Sequence, residues 1–197
     1  MAIQDRSPTG NGTTSLWDTA TGAPTKWQAC DDRGDGDPGT GSPDDATTYM
    51  QDNDANEIQH FTFSAFAITS STITSVINTV RGARDAASTG ACSTDHIIRV
   101  NGTNYTAGGV SHTVADVWAQ DDNVWLTNPN TGSAWTEADV EGTGANPLQQ
   151  CGVQAGAMNA GDVVNCTMVY ISVDYTAAGA VSARASHALV GSAAGWW

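Results

Sequence analysis

Positive charge is what this sequence most lacks. Lys26 is its single lysine, and seven Lys and Arg residues stand against 21 Asp and Glu, a net charge of −14. A surface of that sign repels phosphate backbones, and no basic stripe runs along the chain, so nucleic acid is excluded as a partner. Glutamate is nearly missing too, with only Glu57, Glu137 and Glu141. The acid is therefore aspartate, a residue of turns and loops. No apolar run approaches the roughly 18 residues of a membrane-spanning helix, so no membrane partner is expected. The opening residues MAIQDRSPTGNGTT lack the apolar centre of a secretory signal. The expected location is the cytoplasm of the producing cell, or a larger particle assembled there.

Catalytic and metal-binding motifs are missing as well. His60, His96, His112 and His187 are far apart and never occur as H-x-H or H-E-x-x-H. There is no G-x-S-x-G elbow and no phosphate-binding G-x-x-x-x-G-K-S/T loop. The aspartates single out no carboxylate pair for glycoside hydrolysis. The expectation is a non-enzyme with no cofactor and no resident metal. Cys30, Cys92, Cys151 and Cys166 form no C-x-x-C pair, which speaks against a zinc ribbon or a thioredoxin site. Four free thiols, some of them buried in strands, is one reading. One disulfide formed outside the reducing cytosol is the other.

Gly, Thr, Ser, Ala, Asn and Asp are plentiful, a balance of short strands and many turns. Residues 1–43 are rich in Gly, Thr, Asp and Pro, with Ile3, Leu16, Trp17 and Trp27 as the main large apolar side chains. Such a segment buries too little to offset its own ordering entropy, and it reads as an arm with two Trp anchors. Within it Asp31, Asp35 and Asp37 suggest a calcium loop. The spacing departs from an EF-hand, however, and Asp44 stands where a Glu is needed. Arg33-Gly34-Asp35 matches an integrin tripeptide. A solvated connector is the leading reading of this acidic stretch, with a calcium loop of another type as the alternative. N-x-S/T triplets at Asn11, Asn101, Asn104 and Asn165 are read as unmodified.

From residue 44 the pattern becomes β. EIQHFTFSAFAI alternates, with Phe61 and Phe63 on one face. STITSVINTVRGARDAA alternates with apolar residues on both faces, which leaves its register open. DHIIRVNGTNYTAG is a hairpin turning at Asn101-Gly102. TEADV makes one helical turn capped by Thr136. In NCTMVYISVDYTA the face of Thr167, Val169, Ile171, Val173 and Tyr175 is apolar enough to be core, with Cys166 facing the other way. Seven or eight strands at short spacing, without a βαβ rhythm, predict an all-β antiparallel β-sandwich over 44–176. The arm 1–43 precedes it and a short C-terminal tail, 177–197, follows.

TNPNTGSAWTEADVEG, followed by NPLQQCGVQAG and VVNCTMVYISVDYT, resembles jelly-roll domains of tailed-phage virion structural proteins. PDDATTYMQ and ITSVINTVRGARDA look like the opening strands of the same domain. The resemblance covers roughly Pro43–Thr176. It implies a two-sheet jelly roll and a place on the virion, as head decoration, head fibre or tail appendage. The partners it implies are copies of the chain itself and the major capsid protein or another virion protein, with three-fold assembly favoured. Trp17, Trp27, Trp196 and Trp197 are the expected docking anchors, because aromatic side chains bury much area at little entropic cost. The alternative is a carbohydrate-binding or host-adhesion module. It rests on the seven tryptophans, any of which could stack a sugar ring if it lay flat on an open sheet face.

Overall fold

The computed structural model describes residues 2–31, 47–69 and 71–177. Their strands are β1 (Ala2–Arg6), β2 (Pro8–Ser15), β3 (Thr19–Thr21), β4 (Tyr49–Asp52), β5 (Ile58–Phe63), β6 (Ser71–Arg84), β7 (Cys92–Val100), β8 (Thr103–His112), β9 (Ala119–Trp125), β10 (Leu148–Ala155) and β11 (Val164–Ala177). One helical turn, α1 (Glu137–Val140), lies between β9 and β10. Thr136 caps it in a reciprocal box with Asp139. The expected hairpin is present, with Asn101 and Gly102 at φ 47° and 78° between β7 and β8, the left-handed pair that a two-residue turn requires.

From β4 to β11 the pairing is nested. β4 pairs β11, β5 pairs β10, β6 pairs β9 and β7 pairs β8, all antiparallel. Folded over on itself, this long hairpin gives two sheets, β4-β11-β6-β9 and β5-β10-β7-β8. That connectivity is a jelly roll. The core lies between the sheets. Val169, Ile171 and Val173 of β11 meet Phe61 of β5, Ile98 and Val100 of β7, and Cys151 and Val153 of β10, all fully buried. The open register of β6 resolves with Val76, Asn78 and Val80 inward. Asn78 crosses the core and donates to the carbonyls of Ile97 (3.1 Å) and Gly152 (2.8 Å) on the opposite sheet.

The arm expected over residues 1–43 is corrected for its first part. β1 pairs Arg6 to Ala2 with Ile171 to Tyr175 of β11, β2 extends the second sheet beside β5, and β3 extends the first beside β4. Composition missed this because these strands do not build a core. They complete sheet edges whose apolar side is already supplied by β4–β11. Side chains fasten them: Gln4 exchanges hydrogen bonds with Ala67, and the Arg6 guanidinium donates to the Ala65 carbonyl and lies 5.0 Å from the Phe66 ring. Cys166 is a second correction. It joins the core with Val164, because the register shifts between Cys166 and Met168, and one inserted residue reverses the facing of the strand.

Candidate functional site

The expected anchor Trp17 is a correction. It is wholly buried in the core, and its indole N–H donates to the Glu57 carbonyl at 3.2 Å, so it presents no docking surface. Trp27 is half-buried and packs against the same cluster. Trp196, Trp197 and His187 lie outside the described residues, as do Asp35, Asp37, Asp44 and the Arg33-Gly34-Asp35 triplet. Asp31 is described and bridges to Met168 of β11. All four cysteines are buried and free of disulfides. Burial pushes the Cys92 thiol up to about 11 and the Cys151 thiol to about 12, so neither is a nucleophile near neutrality.

Two of the three described histidines make structural hydrogen bonds. His96 of β7 meets Asp121 of β9 at 3.1 Å, a link between the two sheets. The His112 ring shares a hydrogen bond with Thr94 Oγ1 at 3.0 Å. His60 is wholly buried, and neither ring nitrogen has a partner. Its cover is a wide bulge of β2. Asn11 sits opposite Phe61 and Ser15 opposite Gln59, so residues 12–14 face His60 alone. The bulge arches over β5, and Thr13 reaches Gln150 of β10 through both its amide (3.3 Å) and its hydroxyl (2.8 Å). Burial lowers His60 and His112 to about 4, with Arg99 adding to the effect at His60.

A second polar knot surrounds the only lysine. Lys26 donates to the Trp17 carbonyl and lies among Asp18, Asp52 and Glu57. Asp52 is wholly buried; its Oδ1 accepts from the Asp54 amide at 3.1 Å and its Oδ2 is unpartnered. Burial raises its pKa to about 6, and the Glu57 and Asp18 carboxylates add to this against the Asp54 hydrogen bond. Among the described residues no group of three or more His, Cys, Asp or Glu is placed to hold a metal ion.

Two surfaces remain. The outward side of the first sheet carries Val124 opposite Ile77, with Ile3 on the β1 flank and Leu126 just past β9. Ile3, Val124 and Leu126 are 55%, 49% and 68% exposed. Trp118 does not lie alone as a platform; its ring tilts against Tyr49, with centroids 6.0 Å apart. The other surface is a cleft of about 430 Å³ at the β7–β8 edge, closed on one side by residues 157–159. Ser93, Asp95, Ser111 and Asn159 supply its polar groups.

No family model and no curated protein matches the chain. Solved structures do. The CBM36-1 domain of a multidomain xylanase from the hindgut metagenome of Trinervitermes trinervoides is 11% identical, with a TM-score of 0.40 over 88% of this chain and 97% of that one. The Agl-KA catalytic domain is 10% identical, with a TM-score of 0.42 over 88% of this chain and 28% of that one. The N-terminal cellulose-binding domain of Cellulomonas fimi β-1,4-glucanase C is 13% identical, with a TM-score of 0.30 over 66% and 77% of the two chains.

The cleft went unnoticed in the sequence, although a signal exists. Gly108-Gly109 inside a β-rich run marks a bulge or a close backbone approach. Ser93, Asp95, Ser111 and Asn159 carry no motif of their own.

Proposed function

We propose that this chain is a non-enzymatic virion structural protein of a tailed phage, a head decoration or an appendage that works in several copies by surface docking. The supporting observation is the outward side of the first sheet. Ile3, Val124 and Leu126 stand exposed there, on an antiparallel surface whose centre is tied by Thr79–Asp122 (2.6 Å) and Ser75–Asp174 (3.4 Å) hydrogen bonds. A firm face with apolar flanks and a satisfied polar middle suits packing against another folded surface. Asn128 closes the NPNTG turn on Asn130 and Asn146, and the buried Trp135 donates to the Trp125 carbonyl.

Quantitative mass spectrometry of purified particles tests this reading. Many copies per particle are expected, and a Val124→Asp/Leu126→Asp double variant should lose most of its occupancy while keeping its melting temperature. Absence of the chain from the particles, or unchanged occupancy of the variant, overturns the reading. A second reading, a glycan-binding adhesion module, is supported by the cleft beside Asp95.

A further inference from the structure

We infer that the cleft at the β7–β8 edge binds a neutral saccharide ring through Ser93, Asp95, Ser111 and Asn159. The inference rests on the glycan reading and gives it a site; it goes beyond the virion reading and is compatible with it.

The cleft is built by a defect in strand pairing. Thr94 pairs with Val110 and His96 with Ala107, so Gly108 and Gly109 together face Asp95. Only glycine fits at 109, where a Cβ would strike the Thr94 carbonyl. The Gly109 amide donates instead to Asp95 Oδ1 at 3.2 Å. With Ala91 and Ala157 also small, no side chain fills the hollow. Its volume of about 430 Å³ falls within the roughly 300–1,000 Å³ of small-molecule sites.

The walls are held from behind. Asp162 accepts from the amides of Thr89 (2.8 Å), Gly90 (3.0 Å) and Asn159 (3.3 Å), and the Asp162 amide returns a bond to the Asn159 carbonyl at 3.1 Å. The Gly156 amide donates to the Ser93 carbonyl at 2.8 Å. The loop carrying Met158 and Asn159 is thus fixed against β7 before any ligand arrives, which lowers the ordering cost of binding.

The lining selects the ligand class. It holds no Lys, Arg or His, and the chain carries a net charge of −14, so phosphate and carboxylate ligands are rejected. It has no aromatic ring to cage an ammonium or stack a base. A single carboxylate, already bonded to a backbone amide, falls short of the several oxygen ligands a calcium ion needs. What remains is one acceptor-only carboxylate, two hydroxyls that donate or accept, and one amide, beside the apolar faces of Ala91, Ala157 and Met158. That set matches the vicinal hydroxyls and C–H face of a pyranose.

Saturation-transfer NMR and calorimetry on the full chain, with a panel of neutral hexoses, N-acetylhexosamines and their dimers, test the assignment. Saturable binding in the millimolar range by at least one class is expected. A Cβ at Gly108 meets nothing within 4 Å, so Gly108→Leu should fill the cleft without strain. It should abolish binding at an unchanged melting temperature, and Asp95→Asn should weaken binding by about tenfold or more. If no saccharide binds the wild type, both the site and the glycan reading fail. If Gly108→Leu binds as well as the wild type, the site fails and the glycan reading stands. Equal binding of a simple amine such as ethanolamine would overturn the neutral-ligand assignment.

Discussion

Ile171 shows how much one side chain decides. It is wholly buried at the centre of the core cluster, and Ile171→Ala should cost about 2–5 kcal/mol by transfer and cavity terms together. Urea titration measures this, and an unchanged midpoint would mean that the strand or its facing is wrong. The titratable residues set a pH profile in which opposite signs compete. His60 and His112 are held near 4 in the fold, whereas the unfolded chain protonates them near 6.5. Their contribution is present above 6.5 and is lost as pH falls from there through 4. Asp52 runs the other way. Its carboxyl is raised to about 6 in the fold, so its charge destabilises above 6, and that cost fades as pH falls from 6 toward 3.8. Two histidines outweigh one aspartate, so net stability should drop in acid. Asp52→Asn keeps the oxygen that accepts from Asp54 and removes the charge. It should be more stable than wild type at pH 8, by on the order of 2 kcal/mol, and should lose stability more steeply between pH 6 and 4. Urea midpoints at pH 8, 6 and 4.5 decide this, and a variant weaker than wild type at pH 8 contradicts it.

At the scale of elements, the N-terminal strands are the finding that sequence did not offer. β7–β8, α1 and the core face of β11 were legible, each from a local signal: Asn101-Gly102, the Thr136 cap, and the Val169–Ile171–Val173 alternation. β1, β2 and β3 have no such signal. They are polar ribbons whose pairing is dictated by edges made elsewhere in the chain, and edge pairing leaves little trace in hydrophobic period. The bulges at residues 12–14, between Cys166 and Met168, and at Gly108-Gly109 were illegible for a related reason. Extra residues, two at 12–14 and one at each of the other places, break the regular pairing without changing composition. Deleting residues 1–15 should therefore do more than trim an arm. It strips one flank of β11, frees the Ala65 and Ala67 carbonyls and uncovers His60. The melting temperature should fall by more than about 10 °C, or the protein should be insoluble. A truncated chain melting within about 3 °C of wild type would restore the arm.

For the whole molecule, the proposed docking face and the proposed saccharide cleft belong to different sheets, so a contact through Val124 and Leu126 would leave Asp95 free to meet a ligand. The nested order of the strands also governs how the molecule comes into being. β11, the last described strand, is the most heavily paired, with β1 and β4 along one side and β6 along the other. Most of the sheet is thus waiting for a partner that the ribosome delivers after every other described strand. Contacts this distant in sequence make for slow folding. Until β11 emerges, the nascent chain exposes the unpaired edges of β4 and β6 to its neighbours. Assembly of the first sheet therefore waits on β11: a chain that stops short of it leaves β1, β4 and β6 without their common partner.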